Sequence, residues 1–277
     1  RRQRQMCIRD RKDPFEGYHT NIDASITAEY SQTVYRFGHS MLTETVDRYD
    51  ADFNHLVDPH TGTSDQLRLF EAFLNPCAFQ NGDSDCTPTQ SPEEAAGAII
   101  RGISRTTGNE LDEFITGALQ NNLIGLPLDL GAINIARGRD VGNPPLNEAR
   151  KDFFAATGDH RLMPYSHWVD YADNIRHEAS LVNFIAAYGT HVTLAGADGI
   201  VGNADDPNQT YNDRRGAACA LVKALNPTFC ADTGFDDSFD MPAAAMDFLY
   251  SRNGWATGAD GKSKTGVDDI DLSLIHI

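Results

Sequence analysis

The segment Tyr35-Arg36-Phe37-Gly38-His39 sets an imidazole three residues after a guanidinium, within an apolar stretch. A second segment, Asn134-Ile135-Ala136-Arg137-Gly138-Arg139-Asp140, sets an amide and two guanidiniums within one or two helical turns. Neutral imidazole is a strong axial donor to a metal. An imidazolium among apolar neighbours is costly, so burial of His39 favours the neutral, ligating form. Asn134 lies among Leu130, Ile133 and Ile135, and asparagine is a poor mid-helix residue unless its amide is engaged. A buried amide needs a partner. Its oxygen can accept the N–H of a metal-bound imidazole, which fixes the tautomer and raises ligand basicity. Arg36, one turn before His39, and Arg137, three residues after Asn134, can make bidentate hydrogen bonds to anionic groups of a cofactor. Each residue also has a plainer reading. By spacing alone His39 reads more readily as a core histidine and Asn134 as bonded to a local carbonyl or an interhelical partner, while Arg36 reads as well as a partner of Asp47 or another acid, and Arg139 as bonded to Asp140 or a loop backbone. Residue types and spacing leave both sets open.

Helices must position these groups. Ile26, Tyr30, Val34, Phe37, Met41 and Leu42 recur at steps near three and four, which predicts one helix with Ser25 as its N-cap. Ser91-Pro92-Glu93-Glu94 is a capping box with proline at the first helical position. Leu111, Phe114, Ile115, Ala118, Leu119 and Leu123 form another stripe, ending near Gly125. Asp129 begins the helix carrying Asn134, and Gly142-Asn143-Pro144-Pro145 ends it. Further helices are expected near 146–155, 180–189 and 213–225. Irregular stretches at 51–66, 77–90, 195–212 and 228–240 separate them. Alternating strand patterns are scarce and no repeat or low-complexity linker divides the chain, so the expected fold is one mostly α domain with long loops.

The 277 residues suffice for one large domain, and 40 acidic against 23 basic residues give a net charge of −17. That balance argues against a nucleic-acid surface. No run reaches the roughly 18 apolar residues of a membrane span. Residues 1–11 and 273–277 resemble translated sequencing-adaptor read-through, which leaves 12–272 as an internal piece of a longer chain; a basic arm is the competing reading of the first segment. Cys77 and Cys86, and Cys219 and Cys230, are separated by nine and eleven residues. Two small disulfide loops in an oxidising compartment explain that spacing, as do four buried thiols. The acidic loops at 81–85 and 196–206 offer oxygen donors for calcium, although a solvated turn explains them as well. His167, His177 and His191 lack metal-ligand spacing and read as structural.

The runs EYSQTVYRFGHSML (29–42) and LPLDLGAINIARGRDVGNPPLNEAR (126–150) resemble the proximal-histidine helix and the Asn-x-x-Arg-x-Arg-Asp segment of the animal-type haem peroxidase superfamily. The run SLVNFIAAYGTH (180–191) resembles a segment common in its bacterial branch. The likeness extends over about residues 16–272. It implies a large helical haem-peroxidase-like domain, incomplete at both ends. It makes His39 the proximal haem-iron ligand and a catalytic residue, Asn134 its catalytic hydrogen-bond partner, and Arg36 and Arg137 the groups near the haem propionates. The implied cofactor is haem b, in some members covalently linked, with calcium ligands mostly outside this chain. The implied partners are hydrogen peroxide and a small halide, phenolic or other organic donor, in a secreted bacterial enzyme.

Peroxide chemistry needs a distal histidine and a distal arginine. Relatives carry them upstream of the proximal helix, and residues 12–25 do not supply them, since His19 lacks the expected following Asp. The chain alone is therefore expected to be inactive. Two alternatives are a non-catalytic haem- or calcium-binding adhesion or matrix domain on the same scaffold, and a fatty-acid dioxygenase. The dioxygenases resemble this helix but place a tyrosine three residues before the ligand, where this chain has Arg36.

Overall fold

The computed structural model describes residues 17–21, 23–57, 66–73, 75–80, 86–231, 234–235 and 238–272. Eleven α-helices are formed among these residues: α1 (Ala28–Gln32), α2 (Leu69–Phe73), α3 (Pro92–Arg105), α4 (Gly117–Asn121), α5 (Leu130–Asp140), α6 (Leu146–Thr157), α7 (Trp168–Ala172), α8 (Glu178–Tyr188), α9 (Val192–Ala195), α10 (Tyr211–Val222) and α11 (Ala245–Leu249). One antiparallel pair, β1 (Thr45–Val46) with β2 (Leu67–Arg68), aligns Thr45 with Arg68 and Val46 with Leu67. The mostly α expectation holds, with long irregular connections.

Local chemistry places several ends where the sequence puts them. Ser91 accepts the Glu94 amide while the Glu94 carboxylate accepts the Ser91 amide, so the capping box starts α3. Asp129 accepts the Ala132 amide at 3.0 Å and starts α5. The stripe at 111–123 behaves differently. Only Gly117–Asn121 is α-helical, with Leu123 opening a separate 3-10 turn, because the Asp112 carboxylate takes the Phe114 amide at 2.9 Å and holds a turn ahead of it. Leu111 and Phe114 consequently stay exposed.

The core lies at the C-terminal side. α8 and α10 pack along their lengths, and residues 216–222 of α10 are all buried. Trp168, Tyr171, Leu181, Ile185, Leu221 and Phe248 fill the space between α7, α8, α10 and α11. Both cysteine pairs are disulfides, with Cα separations of 5.0 Å for Cys77–Cys86 and 6.1 Å for Cys219–Cys230. The second ties the end of α10 to the loop that follows it.

The C-terminal segment threads back onto this core. Leu146 donates to the Ile270 carbonyl at 2.8 Å, and Trp168 Nε1 donates to the Thr265 carbonyl at 2.9 Å. Gly266 opens the short 3-10 turn Val267–Asp269 at φ +85°. A Cβ there would lie 1.9 Å from the Tyr188 carbonyl oxygen, so only glycine allows this approach to the end of α8.

Among the described residues, no helix is long and apolar enough to cross a membrane.

Candidate haem-binding site

The expected continuous helix over residues 26–42 is broken in two. Thr27, not Ser25, caps α1, accepting the Tyr30 amide at 3.3 Å. At Thr33 the backbone leaves helical geometry (φ −125°, ψ −70°), and the Thr33 hydroxyl bonds the Glu29 carbonyl. Val34–His39 then forms a 3-10 helix. With three residues per turn, positions i and i+3 eclipse, so Arg36 and His39 fall on one face. The apolar stripe is largely left outward: Ile26, Tyr30, Phe37 and Met41 are all exposed.

α5 supplies the opposite wall. Its buried residues are Gly131, Asn134 and Gly138, one narrow face made of an amide and two glycines. A methyl group added at Gly138 would come within 2.9 Å of Thr33 Cγ2, so the small residue lets α5 lie close to the segment carrying His39.

That approach joins the two predicted residues. Asn134, 0 % exposed, donates from Nδ2 to His39 Nδ1 at 3.0 Å. This arrangement puts the ring proton on Nε2. A half-turn of the amide presents Oδ1 instead, moves the ring proton to Nδ1, and leaves the Nε2 lone pair for a metal. Asn134 Oδ1 is buried and has no hydrogen-bond partner among the described residues, and His39 Nε2 has none either. A buried amide with one bare end is what an axial metal on Nε2 would organise, because the metal fixes which ring nitrogen keeps the proton. Burial, reinforced by the Arg36 and Arg137 cations, holds the half-buried His39 imidazole below the ordinary histidine pKa. The ring is therefore neutral at pH 7 and competent as a ligand.

The cations divide. Arg36 bonds the Ser31 carbonyl through Nε at 3.1 Å and is not paired with Asp47, whose carboxylate meets Thr45 and Thr106. Neither Arg36 nor Arg137 makes an ion pair among the described residues, and both lie near enough to His39 to depress its pKa. Arg139 leaves this group. It grips Asp271 with two bonds of 2.9 and 2.6 Å, and Tyr188 donates to the same carboxylate at 2.7 Å. The sequence reading offered Asp140 or a loop backbone for Arg139. The true partner lies 132 residues away and is visible only in the fold.

The other histidines and loops resolve locally. His167 and His191 cap α7 and α9, accepting the amides of Asp170 and Thr193, and His191 also stacks on Trp255. In the 196–206 loop the Asp198 oxygens accept from Ile200 and Asn203, and Asp206 is buried against Arg214 at 2.7 Å. Those oxygens hold the turn itself. The 81–85 loop lies outside the described residues.

The histidine shift has a measurable sign. A folded pKa below the unfolded value of about 6.5 contributes stability above that pH, and the contribution is lost as pH falls through the folded value. Urea midpoints should therefore decline from pH 7.5 toward 5.5, and decline less steeply in His39→Ala. His191, also lowered by burial, keeps part of the slope in that variant. A midpoint that rises on acidification, or an unchanged slope in His39→Ala, would refute this coupling.

A half-buried imidazole backed by a buried amide, with two guanidiniums nearby that make no ion pair among the described residues, could hold an anionic, metal-centred cofactor. The chain belongs to the animal haem peroxidase family, whose sequence model matches residues 2–202. It is 33 % identical to peroxidase mlt-7 of Caenorhabditis elegans over 138 residues, 50 % of this chain and 16 % of that protein. It is 27 % identical to peroxinectin A of Dictyostelium discoideum (56 % of this chain, 25 % of that protein) and 30 % identical to human thyroid peroxidase (50 % and 14 %). Among solved structures, peroxidase A from Dictyostelium discoideum aligns with a TM-score of 0.44 at 26 % identity, covering 57 % of this chain and 26 % of that one. The chain spans a quarter or less of the length of these curated relatives.

Proposed function

We propose that residues 12–272 form the proximal haem side of a secreted bacterial peroxidase, one that uses hydrogen peroxide to oxidise halide or phenolic donors. Residues 1–11 and 273–277 are proposed to be non-native. The observation that carries this reading is the 3.0 Å contact between His39 and the fully buried Asn134. When bound, haem b supplies the redox-active iron at which peroxide is reduced. His39 Nε2 would hold that iron. With its amide turned by half a turn, Asn134 Oδ1 would accept the Nδ1 proton of His39 and make the ring a stronger donor. Arg36 and Arg137 hold the propionates through charge-assisted hydrogen bonds. Burial, reinforced by their positive charge, also keeps the His39 ring neutral, so ligation does not compete with protonation at neutral pH. The two disulfides support an oxidising, extracellular setting. Arg36 at the position three before the ligand favours peroxidase over fatty-acid oxygenase.

Proton transfer to peroxide requires a histidine and an arginine on the opposite haem face, so the chain alone is proposed to bind haem without efficient turnover. The test is haemin titration of the full chain, followed by assay with peroxide and a phenolic donor. One-site binding with turnover no faster than free haemin supports the proposal. Absence of saturable binding defeats the haem reading, and turnover comparable with intact peroxidases defeats the claim of inactivity. Asn134→Leu removes the partner of Nδ1 without a large change in volume. It should weaken haemin binding by ~10–100-fold, read from the titration midpoint, and an unchanged midpoint would remove Asn134 from the site.

A further inference from the structure

A second convergence of donor atoms lies away from His39, where Glu110 and Asp112 approach His177 across 65 or more residues of sequence. His177 Nε2 is 2.7 Å from Glu110 Oε2 and 3.9 Å from Asp112 Oδ2, and one ligand atom from each residue lies within 4.8 Å of the others. Among the described residues this is the one such group of three metal-ligating side chains.

The three atoms are held from behind. Asp112 Oδ1 accepts the Phe114 amide at 2.9 Å, which turns Oδ2 toward His177. Glu110 Oε1 takes Arg176 at 2.6 Å, which turns Oε2 the same way. Their loop is pinned by Asn109, whose amide and side chain donate to the Met41 and Leu42 carbonyls at 3.1 and 2.7 Å. His177 sits at the cap of α8, with Phe114 edge-on to its ring at 6.4 Å. The Arg176 pair is largely exposed, so its charge offsets the carboxylates weakly and it separates at little cost.

An independent observation points to a ligand. The three residues line a cavity of about 350 Å³, which Glu113, Tyr171 and Ser180 also line. Tyr171 is 0 % exposed, yet its hydroxyl has no hydrogen-bond partner among the described residues, and Glu113 Oε1 is buried in the same condition. Burial and the neighbouring Glu113 carboxylate raise the Tyr171 pKa, so the phenol keeps its proton as an unused donor. A bare donor and a bare acceptor on residues that line one cavity are both satisfied by something that accepts and donates. Water molecules on a metal at this cavity do both.

We propose that Glu110, Asp112 and His177 bind one divalent transition-metal ion at the cavity that Tyr171 and Glu113 also line. One imidazole and two carboxylates suit zinc or manganese, whereas calcium and magnesium prefer all-oxygen shells. Around a tetrahedral ion with bonds near 2.1 Å, neighbouring donors lie roughly 3.3 Å apart. The separations seen here need only side-chain adjustment to reach that. The site does not depend on haem.

Calorimetric titration of the full chain with Zn2+, in the absence of haemin, tests it. The expected result is one ion per chain, with affinity reduced at least tenfold in both His177→Ala and Asp112→Asn and unchanged in His160→Ala. Asp112→Asn retains the oxygen that holds Phe114 and should preserve the loop. If His177→Ala fails to fold, the Asp112→Asn result decides. Ca2+ should not compete, and the rise in Tm produced by Zn2+ should shrink in Asp112→Asn. No saturable binding, equal binding in Asp112→Asn and the parent chain, or full displacement by Ca2+ would overturn the assignment.

Discussion

Replacing His39 by alanine is expected to abolish one-site haemin binding by this chain, lowering affinity by more than the ~10–100-fold attached to loss of a ligand's hydrogen-bond partner. The reason is that, among the described residues, no other group in the site offers an iron donor. Asn134 and the arginines surround His39 but supply an amide already committed to the ring and guanidiniums that carry only donors. The absorption spectrum is the sharper readout. The parent chain should show a histidine-ligated Soret band, and His39→Ala should give the spectrum of free or non-specifically bound haemin. Arg139→Ala provides the contrast. It removes a pair with Asp271 in which the arginine side chain is 64 % exposed, a contact worth at most about 1 kcal/mol, and it should leave the haemin spectrum intact. Identical spectra for parent and His39→Ala would sink the axial-ligand assignment.

Gly266→Ala is expected to be the most damaging single change to the fold. Two penalties add at one position. A non-glycine residue at φ +85° costs ~1–3 kcal/mol, and the new methyl overlaps the Tyr188 carbonyl, which adds a further ~1–3 kcal/mol of forced displacement. The sum is about 2–6 kcal/mol. For a chain of this length that is a fall in Tm of roughly 4 °C at the least and above about 10 °C at the upper end. The displacement would reach the site's support, because Tyr188 and the segment after Gly266 together hold Asp271 against Arg139 on α5. Thermal unfolding followed by circular dichroism checks this. A Tm within about 2 °C of the parent would show that the backbone accommodates the methyl and that the close approach is not limiting.

Several features were fully legible in the chain. The capping box at Ser91 and the Asp129 cap depend on residues three apart, so local chemistry decides them before any tertiary contact forms. The helix carrying Asn134 and its stop at Gly142 follow from the same short-range rules. The cysteine pairs are close enough in sequence for their loops to close cheaply, and spacing left only the choice between bridges and thiols. Asn134 stood out because an amide amid apolar neighbours has to be satisfied somewhere.

The helical periodicity across 26–42 misled. Apolar residues at steps of three and four predict burial of one face, but nothing described in the fold covers Ile26, Tyr30 or Met41. Thr33, pressed against Gly138, breaks the helix instead. The stripe at 111–123 fails for a related reason, since a single carboxylate–amide bond at Asp112 outweighs weak helical propensity.

By itself, then, the sequence determined the residue types at the proposed haem-binding site, the helix ends that rest on neighbouring side chains, and the family. Tertiary structure alone decided who meets whom. Asn134 reaches His39 across 95 residues, Arg139 finds Asp271 across 132, and His177 joins two carboxylates that its own neighbourhood does not supply. Such contacts follow from how closely two backbones can approach, which Gly138 and Gly266 set by lacking a side chain. Periodicity carries no record of that distance.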